Sequence, residues 1–206
     1  MKLPYLSDQD KQINTRVYDE YHTLHMIDGW YGTHKMQNYK QMMQMLARTN
    51  HTLEDKSVLD VGCGSGDLSA FVRKLGATTY LGIDMYEPAI QSAKQKYPDE
   101  TFLLEDFLSV KLTQAYDYAF CSGSLTVKLA SDNYAFLTAT IAKMLKFTTM
   151  GLVFNVLTDD DKDPDKDLFF YNPERVETIG KNIALGGNII LQKHPTRAEM
   201  HVFMYQ

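Results

Sequence analysis

The chain has 206 residues, 44% hydrophobic and 23% charged, with a net charge of -5 and a pI near 5.6. That length suits one domain around one core, and the composition excludes disorder as the main state. The acidic balance argues against a binder of nucleic-acid phosphates, which needs a basic face to displace counterions. The start MKLPYLSDQD has no apolar export core, and no apolar run approaches a membrane span, so a cytoplasmic setting is the default. Cys63 and Cys121 sit in apparent core strands without metal-ligand spacing, so neither a disulfide framework nor a zinc site is expected.

Residues 1–33 are the least regular stretch, although Ser7 and Asp10 have the spacing of a capping box for a short helix. From 34 to 47, Met36, Tyr39, Met43 and Leu46 recur at helical spacing and mark one apolar face, read as core filling. Ser57 to Ser69 reads SVLDVGCGSGDLS, a buried parallel strand running into glycines at 62, 64 and 66 and then a helix with Leu68, Phe71, Val72 and Leu75 on one face. Such a turn lets a ligand press on bare backbone, and the helix start offers it free N–H groups.

The pattern then repeats. Strands are expected at Thr79–Asp84, Thr101–Glu105, Tyr116–Cys121 and Gly151–Leu157, with helices through Ala89–Tyr97 and Asp132–Lys146 between them. Strands alternating with helices imply a parallel sheet covered on both sides. After a helix opened by Asn172 and Pro173 and closed by Gly186–Gly187, two strands, Asn188–Lys193 and Glu199–Tyr205, flank the five residues 194–198 and form an antiparallel hairpin.

In an open parallel sheet ligands bind beyond the carboxyl ends of the strands, and here those ends carry acids: Asp60, Asp84 and Asp106. Asp84 lies 18 residues beyond Gly66, where a carboxylate can accept ribose hydroxyls. The glycines are spaced GxGxG rather than the GxGxxG of dinucleotide folds, and no GKS or GKT follows as in a P-loop.

Asp60-Val-Gly-Cys-Gly-Ser-Gly66, Gly-Ile-Asp84 and Leu-Glu-Asp106 together resemble the class I S-adenosylmethionine-dependent methyltransferases. The resemblance implies a Rossmann-like α/β three-layer sandwich with a seven-stranded, mostly parallel sheet of order 3-2-1-4-5-7-6 ending in the antiparallel hairpin. The resemblance covers roughly residues 30–206, and the chain reads as a single domain over 1–206, with 1–50 an N-terminal helical lid or extension and 51–206 the cofactor-binding core. The resemblance also implies S-adenosyl-L-methionine as cofactor and S-adenosyl-L-homocysteine as product. Gly62, Cys63, Gly64 and Gly66, after Asp60, would surround the methionine portion, and Asp84 would hold the ribose. Met85 would lie against the adenine, with Asp106 at its amino group beside Phe107, and backbone at Cys121 and Ser122 would face the cofactor's amino group. Trp30 and Tyr31, with Gly32, are the lid candidates.

Methyl transfer from a sulfonium is an in-line displacement, so the protein must align the acceptor and exclude water, and a base is needed only where a proton must leave. No metal is expected. The sequence lacks the Asn/Asp-Pro-Pro-aromatic run of base-amino methylation and the Pro-Cys of cytosine chemistry, which leaves a small-molecule or protein acceptor, and N or O of a small molecule is the expected one. The catalytic residue is open, with His25, Tyr31 and His194 as weak base candidates. Asn155, polar within a core strand, should be hydrogen-bonded or face the site, and the aspartates of 159–167 read as a solvated loop. The alternatives are a domain that binds the cofactor as a sensor or partner module and, less favoured, an NAD-dependent oxidoreductase.

Overall fold

The computed structural model describes residues 6–23, 33–161, 164–184 and 186–205. Ser7 and Asp10 do open a helix, α1 (Asp8–Thr23): Asp10 N–H donates to Ser7 Oγ at 3.1 Å and Ser7 Oγ–H to Asp10 Oδ2 at 2.6 Å. It runs for 16 residues, longer than the short helix expected of so irregular a stretch. The reason is tertiary. Val17 and Leu6 pack on Val127 and Leu129, and Asp10 Oδ1 accepts the N–H groups of Ala130 and Ser131 at 2.9 and 3.1 Å. Packing sustains a helix whose own periodicity is weak.

The remaining elements follow in the expected order: α2 (Thr33–Arg48), β1 (Ser57–Val61), α3 (Asp67–Arg73), β2 (Thr79–Asp84), α4 (Glu87–Lys96), β3 (Thr101–Leu104), β4 (Tyr116–Cys121), α5 (Asn133–Lys146), β5 (Thr148–Leu157), α6 (Pro173–Ala184), β6 (Asn188–Lys193) and β7 (Glu199–Tyr205). They build a seven-stranded sheet of order β3-β2-β1-β4-β5-β7-β6, parallel except where β7 pairs with β5 and β6. This is the order that the resemblance implies. β5 begins three residues earlier than expected because Thr148 pairs with Tyr116 before a register shift between Tyr116 and Tyr118.

The period-2 alternation of the strands divides the core into two layers. Leu59, Ala119, Phe154 and Val202 face α5 and α6, where Leu137, Ile141 and Val176 meet them. Val58, Tyr118, Val153 and Phe203 face the other way, against Met42 and Met45 of α2, Leu68 and Val72 of α3 and Ile90 of α4. Of the face that the spacing predicts, Tyr39 and Leu46 are buried and Met43 partly so, but Met36 is exposed and the methionines that fill the core are Met42 and Met45, because α2 meets the sheet on a face turned from the predicted one; α2 lies against the sheet next to the strand ends. Among the described residues, no helix is long and apolar enough to cross a membrane.

Candidate functional site

The carboxyl ends of β1, β2, β4 and β5 open into a cavity of about 890 Å³. Its first wall is the glycine turn. Gly62, Gly64 and Gly66 have φ of 69°, 53° and 76°, a region that side chains disfavour, and Gly62 N–H donates to Ile83 O at 2.7 Å to tie the turn to β2. Only glycine fits at 62, since a Cβ there would lie 1.7 Å from Ser124 Oγ, which itself donates to Gly62 O at 3.1 Å. The turns after β1 and β4 thus touch backbone to side chain.

Asp84 closes β2 and braces this turn from the far side. Its Oδ2 accepts the Gly64 N–H at 2.8 Å and its Oδ1 the Tyr86 N–H at 2.9 Å. Burial raises its pKa, against the pull of those backbone donors. A carboxylate offers about four acceptor positions, so two remain for a ligand's hydroxyls. Asp60 is 2% exposed and is pushed up to about 7 by burial, against the Tyr80 hydrogen bond and the Lys35 charge. Lys35 of α2 reaches over the turn to Asp67, the first residue of α3, at 2.9 Å. Asp67 is held down to about 2, because the ion pair with Lys35 and hydrogen bonds from Ser65 and Tyr97 outweigh its burial.

Beyond the glycine turn the cavity continues to the 194–199 segment and the acidic loop. Asp160, Asp161 and Asp165 line it, so the loop read as solvated forms part of the wall, pinned to α1 by Arg16–Asp167 and Tyr21–Asp165 contacts of 2.9 Å each. His194 also lines it, and its Nδ1 accepts backbone N–H groups from Thr196 and Arg197 at 3.2 and 3.1 Å. Backbone N–H can only donate, so the neutral ring carries its proton on Nε2. This tautomer presents a donor rather than a base, and burial beside Arg197 lowers the ring's pKa further.

Of the residues singled out in the sequence, Asp60, Gly62, Cys63, Gly64, Asp84 and Ser122 line the cavity together. Gly66 lies behind the turn, where a Cβ would meet the Phe102 ring at 2.7 Å. Asp106 caps its own turn, accepting Leu108 N–H and Ser109 Oγ–H, and Phe107 beside it is 8% exposed. Met85 packs with the α1 cluster, and Cys121 is fully buried, its thiol pushed up to about 12 by burial. Trp30, Tyr31, Gly32 and His25 lie outside the described residues. Sequence reading missed Lys35, Asn38, Arg197 and Glu199, which enter the wall through tertiary packing rather than through a motif.

Sheet order, glycine turn and the acid at the end of β2 define the class I S-adenosylmethionine-dependent methyltransferase fold. Comparison with known proteins bears out the resemblance to that family: residues 58–147 match the family model described as a methyltransferase domain. The chain is 38% identical over 80 residues to ribosomal protein L11 methyltransferase of Burkholderia vietnamiensis and 50% identical over 54 residues to that of Methylobacillus flagellatus. Those matches cover 37% and 24% of this chain, and only 26% and 18% of the length of those relatives. Among solved structures, magnesium protoporphyrin IX methyltransferase from Synechocystis PCC 6803 with bound SAH superposes with a TM-score of 0.72 at 16% identity, over 96% of this chain and 97% of that one. At that identity the likeness is one of fold.

Proposed function

We propose that the chain is an S-adenosylmethionine-dependent methyltransferase that transfers a methyl group to N or O of a small-molecule acceptor. The observation that carries this reading is the glycine turn braced by Asp84 at one end of a cavity that continues past it to the 194–199 segment. The residues fit the cofactor at its methionine and ribose ends: bare backbone at Gly62 and Gly64, and two open acceptor positions on Asp84; the adenine contacts at Asp106 and Phe107 rest on the resemblance. When bound, the cofactor supplies a methyl group already activated on a sulfonium.

What the chain does is hold and enclose. Asp84 keeps Gly64 in place while accepting hydroxyls, Lys35 pins α2 over the turn through Asp67, and the acidic loop and 194–199 segment wall the acceptor end against water. α2 belongs to the core, while Tyr18 and Tyr21 of α1 and Lys35 and Asn38 at the start of α2 cover the site from the N-terminal side, in a cytoplasmic protein. The curated relatives are named for a ribosomal protein, which makes a macromolecular acceptor the second reading, but this chain spans about a quarter of them or less. A cavity of about 890 Å³, within the size range of small-molecule sites, favours a small acceptor.

Melting in the presence of S-adenosylmethionine, S-adenosylhomocysteine and NAD tests the cofactor, since a ligand at about a hundredfold its Kd stabilises by roughly 2.7 kcal/mol. A shift with both sulfur ligands and none with NAD is expected. Label transfer from methyl-labelled cofactor to panels of small amines and alcohols and to ribosomal proteins then tests the acceptor, and labelling of protein alone would overturn the small-molecule assignment.

A further inference from the structure

The floor of the cavity holds a carboxylate that no motif marks. Glu199, 5% exposed, opens β7 opposite Leu157 of β5. Its Oε1 accepts from Asn155 Nδ2 and from Asn38 Nδ2, the latter at 2.8 Å, while Arg197 Nη2 lies 3.1 Å from its Oε2. Three donors from β5, α2 and the 194–198 segment converge on one acceptor-only group. Asn155, 2% exposed, accepts the Gly123 N–H on Oδ1 at 2.8 Å. That bond fixes which way the amide faces, because an N–H can meet only Oδ1, so Nδ2 must face Glu199.

In a trans peptide the N–H and the preceding carbonyl point in opposite directions. Turning the Gly123 N–H toward Asn155 therefore turns the Ser122 carbonyl away from it, and Ser122 lines the cavity. We propose that Asn155 and Glu199 are positioning residues that orient the Ser122–Gly123 peptide so that the Ser122 carbonyl accepts a hydrogen bond from the α-ammonium group of the cofactor. The inference rests on the cofactor reading above. Glu199 also contributes through charge: a carboxylate on Nδ2 polarises the Asn155 amide, which polarises the Gly123 peptide and enriches the Ser122 oxygen, in the manner of cooperative hydrogen-bond chains.

Calorimetric titration with two ligands tests this: S-adenosylhomocysteine, and its analogue lacking the α-amino group. Glu199→Gln replaces an acceptor-only group with one acceptor and one donor, so one of the three converging donors meets another donor. Asn155→Ser breaks the link to Gly123. Each variant is expected to lose about tenfold in affinity for S-adenosylhomocysteine, the scale of a hydrogen bond to a charged group, and nothing for the deamino analogue. Equal losses for both ligands would reveal a merely structural role and overturn the proposal, as would no loss for either. If the wild-type protein binds neither ligand, the cofactor reading fails with it, an outcome distinct from the other two. Should Glu199→Gln not fold, Asn38→Ala removes one donor at a half-buried position and is expected to show a smaller loss confined to S-adenosylhomocysteine; an unselective loss there also overturns the proposal.

Discussion

Tyr80 Oη–H donates to Asp60 Oδ2 at 2.6 Å, joining neighbouring strands β2 and β1 on the face that looks toward α2. Position 82, which pairs with Asp60 across the two strands, is glycine, where a Cβ would lie 2.8 Å from Phe102 and 2.9 Å from Cys63 Sγ. Nothing bulkier could share that row. The bond leaves a buried carboxylate with one strong donor beneath the glycine turn, and Asp60 is thereby a group whose protonation matters to stability.

Two buried groups give opposing pH dependences. Asp60 is raised to about 7 from 3.8, so its contribution is full below the unfolded value and is lost as pH rises toward 7. His201, fully buried with neither ring nitrogen partnered, is lowered by burial to about 4 from 6.5, so its contribution is present above 6.5 and is lost as pH falls toward 4. Each limb has a slope of at most about 1.4 kcal/mol per pH unit. In the wild type the two offset one another between pH 4 and 6.5. Asp60→Asn, which keeps an acceptor for Tyr80, should unmask the histidine limb, with the urea midpoint rising with pH across that window. His201→Gln should unmask the opposite limb, falling up to pH 7. A midpoint that still falls with pH in Asp60→Asn would remove Asp60 from the account.

Gly62→Ala should be severely destabilising for two separable reasons. Alanine at a φ of 69° is strained by about 1 kcal/mol, and its Cβ would also meet Ser124 Oγ. Ser124→Gly removes the second problem and not the first. The double variant should therefore melt above Gly62→Ala alone and below Ser124→Gly alone. Additive losses would show that the two turns do not press on each other.

Asp84 carries more than a ligand's hydroxyls. An asparagine there has one acceptor and one donor on its amide, so the Gly64 and Tyr86 N–H groups cannot both be satisfied. Asp84→Asn should cost about 1–3 kcal/mol of stability in the absence of any ligand, and on the proposed function should also weaken S-adenosylhomocysteine binding in calorimetry. A variant as stable as the wild type would mean that the turn holds its shape without this brace.

The glycine turn, the acids at the strand ends and the sheet order were legible because they are local: a period, a turn chemistry, a residue at a fixed distance. The length of α1 was not, although its capping box was, because Val17 gains its burial from Val127 and Leu129 more than a hundred residues away. Asn155 stood out as a polar residue in a core strand. Its partner Glu199 did not, because their meeting depends on the antiparallel register that sets Leu157 against Glu199, and nothing local in β7 announces that register. The acidic loop was read as solvated for a similar reason. Charges at alternate positions suit water equally well, and it takes distant partners such as Arg16 and Tyr21 on α1 to turn the loop into a wall.

Lys143 of α5 is 8% exposed, and its ammonium sits 5.0 Å over the Phe107 ring while donating to the carbonyls of Phe107, Leu108 and Val110. One side chain of α5 thus holds the turn after β3, which packs in the same layer, and on which the resemblance places the adenine contacts of Asp106 and Phe107. Lys143→Met keeps the stem's packing and strips three carbonyls of their donor, so a loss of about 1–3 kcal/mol is expected. Hydrogen exchange should quicken at Leu108, Ser109 and Val110 before anywhere else. Because the adenine is common to S-adenosylhomocysteine and its deamino analogue, both should lose affinity by the same factor, unlike the selective loss expected of Glu199→Gln. A Lys143→Met protein that keeps full affinity for both ligands would place the 106–110 turn away from the adenine.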